Sequence, residues 1–480
     1  MLDFRYILLL SLTLSSAVLG SQKQTCEKTT VAILGGGTAG ITAAQSLSNN
    51  SMHDFIILEY NSDIGGRLRH TTFGQAVDGN PRTIEVGANW IQGLGTPGGP
   101  QNPIWLLVGY IVGHIQERYS NVADTLRPIP KAQKYGVNST YSNYSSILTY
   151  DETGYNDYSQ LFDTFGHVYT TLEELAPKKD MKMQAVEWWE WDWEYAYEPD
   201  QSSLVFDIMN YNTSFCQWSN ENNFVWDQRG FNTWLKGEAS TFLSDNDERL
   251  HLNTIVTNVT YSGTGLTITD SQGNCFEAEY AICTFSVGVL QNRAVSFDPE
   301  FPGWKQDGIA TFDMGTYTKI FLQFSPDEVF WPKDTQYFLY ADPKERRWYP
   351  VFQSLDTPGF LEGSGIIFVT VVHDQAYRVE AQTDGETKDQ VMAILRHMFG
   401  ADKVPDPIAF MYPRWSLEPW AYGSYSNWPN GVSLEMHQNL RTNVGRLYFA
   451  GEATSTEYFG FLQGAWYEGK SVGRLLCATT

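Results

Sequence analysis

Unbroken apolar runs, short enough to predict strands buried on both faces, occur at Val31 to Leu34, in "FIILEY" from Phe55, and at Leu447 to Ala450. A glycine-rich turn follows the first, and the periodicity then predicts a helix opening near Thr38. A Gly451-Glu452 turn follows the last, with a helix carrying Gly464, Gly469 and Gly473 beyond it. Residues 250–285, "LHLNTIVTNVTYSGTGLTITDSQGNCFEAEYAICTF", alternate as strands do, broken by turns at Ser262-Gly263 and Gln272-Gly273. Another apolar strand, Tyr317 to Phe324, carries Lys319 in its middle, where an uncompensated cation is expensive. Tyr317, two positions earlier, shares its face.

Two stretches break these patterns. "MLDFRYILLLSLTLSSAVLG" has one basic residue, Arg5, an apolar run from Tyr6 to Leu14 and small residues through Gly20, the order of a signal peptide over 1–20. "EWWEWDWEYAYEP", Glu187 to Pro199, holds five acidic and six aromatic side chains. Read as a helix, it stacks Glu190, Glu194 and Glu198 on one face, where each like-charge pair costs about 0.2–0.5 kcal/mol. Such a stack invites a cationic partner.

Composition sharpens this. With 32 basic against 55 acidic residues the formal charge is −23, which argues against nucleic acid as a partner and favours cationic ones. Sequons at Asn49, Asn138, Asn143, Asn212 and Asn258 agree with secretion. Five cysteines, Cys26, Cys216, Cys275, Cys283 and Cys477, show no metal spacing; one or two disulfides at most are expected, with the pairing open. No metal site is predicted; the N-terminal segment is too short to span a bilayer and nothing after it reads as a membrane span, so no stable membrane association is expected.

Gly35, Gly37 and Gly40 form GxGxxG between a strand and a helix, and Glu59 ends the next strand nineteen residues later. That context points to a dinucleotide: glycines admit a pyrophosphate to a helix N-terminus, and the acid accepts ribose hydroxyls. Gly65-Gly66-Arg67 directly after the acidic residue is characteristic of FAD enzymes of two domains, and Arg67 can pair with the diphosphate.

Together "VAILGGGTAGITAA", "GGR", "IEVGANWIQG", "FVWDQRGF", "FDMGTYTKIFLQF", "YSNWP" and "YFAGEATS" resemble the FAD-dependent amine oxidases, and within them the secreted plant and fungal polyamine oxidases, over about Lys28 to Leu476. The resemblance implies an α/β fold with a Rossmann-like FAD domain built from 28–107, 223–305 and 422–480. A mixed-sheet substrate domain flanked by helices would come from 108–222 and 306–421. It implies FAD held by Gly35, Gly37, Gly40, Glu59, Arg67, Val256 (an adenine-side backbone contact) and Glu452. Lys319 would hold a water near flavin N5. Glu85 and Glu194 would be carboxylates of the substrate tunnel, with Glu194 innermost in the acidic stack and Trp191 and Trp193 adding cation–π attraction.

Tyr317 would line the tunnel, and Tyr425 and Phe461 would sandwich the substrate methylenes, where plant relatives carry Phe then Tyr. Ser424 stands where monoamine oxidases have a cysteine, implying noncovalent FAD. The expected activity is secreted, extracellular oxidation of spermine or spermidine at a secondary amine by O2, releasing an aminoaldehyde, an amine and H2O2, by a monomer. A monoamine, L-amino-acid or N-acetylpolyamine oxidase, a chromatin-demethylase relative and a redox-silent polyamine binder are the alternatives.

Overall fold

Val31 to Leu34 and Phe55 to Leu58 are buried throughout, as unbroken apolar strands require, and they pair in parallel with Val31 opposite Phe55. The computed structural model describes residues 25–75, 79–96, 99–111, 134–142, 144, 147–168 and 180–479. The expected signal segment and the sequon at Asn143 lie outside them. The first sheet runs, edge to edge, Leu250–His251, Phe55–Leu58, Glu27–Leu34, Cys275–Cys283, Leu266–Asp270, Val256–Tyr261 and Ser296–Asp298, and Leu447–Phe449 also pairs with Cys275–Cys283. It therefore gathers strands from three distant stretches of chain around one parallel centre. The alternation predicted over residues 250–285 is the antiparallel meander on its flank.

Cys26 and Cys275 form a disulfide beside the parallel pair Glu27↔Phe276. Cys216 is exposed, Cys283 buried and Cys477 partly buried, all three as free thiols.

The helix Thr38–Asn49 buries Ile41, Ala43, Ala44 and Leu47 against this sheet. The C-terminal helix Leu462–Thr479 lies across it, and glycine sets how closely. A Cβ at Gly469 would stand 2.2 Å from Ala39 O, and one at Gly473 2.7 Å from Ala43 O. The two helices pack at backbone distance because their contact positions lack side chains. The helix starts only at Leu462, after a 3₁₀ turn at Glu452–Thr454 and a loop, rather than directly at the Gly451-Glu452 turn.

A second, mixed sheet runs Ala409–Met411, Tyr317–Gln323, Ile366–Val372, Val351–Ser354, Tyr337–Tyr340, Ile147–Asp151 and Gly154–Tyr155. Helices His373–Ala381 and Asp384–Phe399 cover one face through Ala376, Val379, Val391 and Leu395. A smaller sheet joins Trp90–Gln92, Asn222–Val225, Val137–Tyr141 and Gly109–Ile111. The hairpin-like pair Asp313–Gly315 and Tyr425–Asn427 brings the entry of the lysine strand against the "YSN" segment.

The acidic stretch is not one helix. An α-helix over Met181–Glu187 widens into a π-turn at Trp188–Asp192, resumes for Trp193–Tyr195 and stops at Ala196, whose φ is 60°. Glu198 lies beyond the helix end, so the predicted three-glutamate stack does not form. Arginines from a distant loop supply the missing positive charge. Arg346 grips the fully buried Asp192 bidentately (2.6 and 2.7 Å) and lies 3.5 Å from Glu187, while Arg347 pairs with Glu198 at 2.6 Å.

Candidate active site

The first sheet, the lysine strand and the π-turned segment converge on a cavity of about 470 Å³. At one end Gly35 and Gly37 present the turn after Val31 to Leu34, and Glu59 lies beside it. Glu59 is buried and raised in pKa by that burial, against hydrogen bonds its carboxylate accepts from Gly36 N (2.6 Å), Asn61 N (2.8 Å) and Asn61 Nδ2 (2.9 Å). Val256 lines the same end. Gly40 does not reach the cavity. It lets the helix press on the turn, since a Cβ there would stand 1.9 Å from Gly35 O.

Midway, Arg67 Nη1 donates to Glu452 Oε1 (2.8 Å) and to Ser424 O (3.0 Å). Its Nε and Nη2 have no protein partner among the described residues. The buried Glu452 carboxylate also accepts from Gly460 N at 2.8 Å and from the Ser426 hydroxyl, which ties the C-terminal turn to the "YSN" strand.

These features fit FAD. The open backbone at Gly37, whose Cβ position has no neighbour nearer than 3.9 Å, adjoins a ribose-type acid, and Gly451 has nothing within 4 Å of a Cβ position. Two arginine nitrogens remain for phosphate, and the buried Asn427 Oδ1, on a residue lining the cavity, lacks a partner.

At the other end lie Lys319, Tyr317, Tyr425, Phe461 and Glu194. Lys319 and Tyr317 share a face of the strand, as the two-residue repeat requires. The buried Lys319 Nζ donates to Glu85 O (2.8 Å) and Gly87 O (2.6 Å), and burial holds its pKa well below the usual lysine range. The Tyr425 hydroxyl donates to Glu194 O at 2.8 Å, and its ring centre lies 6.0 Å from that of Tyr317. Phe461 is buried against Phe215, 6.1 Å away. Glu194 Oε1 accepts from Gln92 Nε2 at 3.2 Å, and burial lifts its carboxyl to about 7. Trp193 stacks on Trp189 (4.6 Å) and lines the cavity with Tyr144.

Some placements differ from expectation. The Glu85 carboxyl does not line the cavity. It sits behind the wall, accepting from Phe231 N at 2.6 Å, with burial raising its pKa, so it meets Lys319 through its backbone carbonyl rather than presenting charge to the tunnel. Trp191 likewise turns away and packs on Tyr195 at 4.7 Å. Glu190 is exposed, and the π-turn leaves Glu194 as the carboxylate of the stretch that faces inward. Gln92, in "NWIQG", and Asn427, in "YSNWP", were not singled out from sequence. Both lie inside the motifs, but their type alone gives no chemical signal.

A family model of flavin-containing amine oxidoreductases matches residues 38–205 and 228–476. "Polyamine oxidase 1" of Zea mays is 32% identical, the match covering 97% of this chain and 94% of that protein. "Polyamine oxidase 7" of Oryza sativa subsp. japonica is 32% identical, covering 95% of this chain and 96% of its own length. A putrescine oxidase solved with putrescine bound superimposes with a TM-score of 0.65 at 15% identity, over 95% of this chain and all of that one, which shows the two-domain flavin amine oxidase fold. With its nucleotide turn, buried strand lysine and matching relatives over nearly its whole length, the chain belongs to the flavin-containing amine oxidoreductase family and is an FAD-dependent amine oxidoreductase.

Proposed function

We propose that the chain oxidises spermine or spermidine at a secondary amine with dioxygen, yielding an aminoaldehyde, an amine and hydrogen peroxide. The observation that carries this reading is Glu194, a half-buried carboxyl set in an aromatic wall at the same end of the cavity as Lys319. A polyamine offers a cationic end for such an acid and apolar methylenes for the tyrosines and phenylalanine beside it. An amino-acid substrate would need a free cation for its carboxylate. Among the described residues the cavity's basic side chains are Arg67, tied to Glu452 with its remaining nitrogens left for the diphosphate, and Lys319, bound to backbone carbonyls.

FAD, once bound, accepts two electrons and a proton equivalent from the carbon beside nitrogen and hands electrons on to oxygen. Around it, Gly35, Gly37, Glu59, Arg67, Val256 and Glu452 would hold its adenosine and diphosphate, with Gly40 supporting the turn from behind. Lys319, with two N–H bonds committed to Glu85 O and Gly87 O, would hold a water beside the reacting centre through its remaining position, accepting with its lone pair when neutral and donating when protonated. Tyr425 and Phe461 would clamp the methylene chain, and Tyr317 would line its path. Glu194 would anchor the distal ammonium, leaving the inner nitrogen neutral and reactive.

Among the described residues no cysteine lines the cavity, and the Ser424 hydroxyl accepts from Tyr317 N at 2.9 Å, which favours noncovalent FAD. The N-terminal segment, the sequons and the Cys26–Cys275 disulfide favour an extracellular protein. The three-stretch sheet favours domain limits at 28–107, 223–305 and 422–480 against 108–222 and 306–421.

Purified yellow protein mixed with spermine without air should lose its flavin absorbance, and a spectrum that stays unchanged would overturn the substrate assignment. Mass spectrometry of the spermidine products then identifies the bond cut, with 1,3-diaminopropane expected.

A further inference from the structure

The helix Leu204–Tyr211 runs beside the cavity, placing Asn210 on its wall. Its other side is apolar and faces solvent: Val205 is 69% and Leu204 49% exposed, and Ile208, Met209 and Tyr211 are exposed as well. At about 100° per residue these five positions fill one arc of roughly 160°. Asp207 and Asn210 are buried opposite, and Phe206 stacks on Trp428 at 3.9 Å. A contiguous apolar helix face is uncommon on a soluble surface unless something covers it.

The next residue is Asn212, first of an Asn-Thr-Ser sequon. Its backbone stays helical (φ −61°, ψ −37°), so at about 80° on the same wheel its side chain emerges near the middle of the apolar arc. Asn212 is exposed. Its Oδ1 accepts from Cys216 Sγ at 3.3 Å, and its Nδ2 has no partner among the described residues. Asn258, by contrast, donates from Nδ2 to Thr260 Oγ1 in its own sequon (3.1 Å), and Asn138 is half-buried in a strand.

We propose that Asn212 carries an N-linked glycan whose inner sugars lie over Leu204, Val205, Ile208 and Tyr211. The Nδ2 atom would lose a proton and bond to C1 of an oligosaccharide delivered on a lipid pyrophosphate, which departs as the leaving group. Transfer precedes folding, so the later burial of Ser214, which accepts from Gln463 Nε2 at 3.2 Å, is no obstacle. The sugar's C–H faces suit the aliphatic side chains and the Tyr211 ring, and the glycan keeps this face from meeting a second copy. The proposal rests on the secretory reading above.

The test expresses the full chain, with its own N-terminal segment, in a secreting eukaryotic cell and analyses the Asn212 peptide by mass spectrometry before and after a glycosidase that converts linked Asn to Asp. The expected result is a hexosamine-plus-hexose mass on that peptide. Enzymatic trimming of the folded holoenzyme should delay its elution from a hydrophobic column, and Val205→Ser with Ile208→Ser should cancel the delay. A bare Asn212 in protein that carries sugar at Asn49 or Asn258 overturns the proposal and leaves secretion standing. A chain retained in the cell, bare at every sequon, overturns both. A glycosylated Asn212 whose trimming leaves elution unchanged overturns the covering role.

Discussion

The raised affinity of Glu194 for its proton makes substrate binding depend on pH in a direction that can be worked out. The carboxyl moves from an ordinary 4.5 to about 7 because the aromatic wall removes water from it. That shift corresponds to about 3 kcal/mol of lost preference for the ionised form. An ammonium brought to 4 Å at an effective dielectric near 20 returns about 4 kcal/mol. The arriving cation is thus just sufficient to keep the acid ionised, and a proton competes with it below pH 7. The apparent KM for spermine should fall as pH rises through about 7, and climb up to tenfold for each unit below it, with a smaller change in kcat. Glu194→Gln keeps the size of the side chain and removes the charge. It should raise KM by up to about a thousandfold, the equivalent of the lost 4 kcal/mol, and flatten this arm of the profile. Steady-state oxygen uptake on both proteins between about pH 5.5 and 8 separates this acid from titration of the substrate, because the substrate's own ionisation persists in the variant. A variant that keeps the wild-type slope would refute the reasoning.

Three other sites make separate predictions. Lys319→Met should retain FAD but slow anaerobic flavin reduction or its reoxidation in stopped flow, and wild-type rates in both would remove the lysine from the chemistry. Arg346→Met strands the fully buried Asp192 carboxyl without its bidentate partner and favours its protonated form, so unfolding in urea should show a loss of about 3–5 kcal/mol, and a loss under about 1 would mean the pair contributes little. Gly469→Ala forces a methyl against Ala39 O, which stands 2.2 Å from that position, and should cost about 1–3 kcal/mol in thermal unfolding; an unchanged Tm would show that the helices separate freely.

The nucleotide end was legible in the sequence because its geometry is local. Strand, glycine turn, helix and acid lie within about thirty residues, and each residue type is dictated by backbone approach or ribose chemistry. Lys319 stood out as a cation in an apolar strand, but that pattern fits a snorkelling lysine equally, and its role came from the resemblance. The acidic stretch misled: its spacing fits an α-helix, while the π-turn is set by packing of Trp188, Trp189 and Asp192 and by arginines over 150 positions away. Periodicity carries no record of such partners. Glu85 was misplaced because a motif gives a residue's strand but not which wall its carboxyl occupies, and Phe231 N, 146 positions on, decides that. The Cys26–Cys275 pairing needed the parallel register of two strands that are distant in sequence.

The grip of Arg67 on Glu452 spans 385 positions. A ribosome that has threaded out everything up to residue 440 has therefore made neither the strand Leu447–Phe449 nor the carboxylate that orients the arginine. The flavin site described above is therefore incomplete until Glu452 has been made, because the arginine at the front of the chain takes its orientation from a carboxylate near the back.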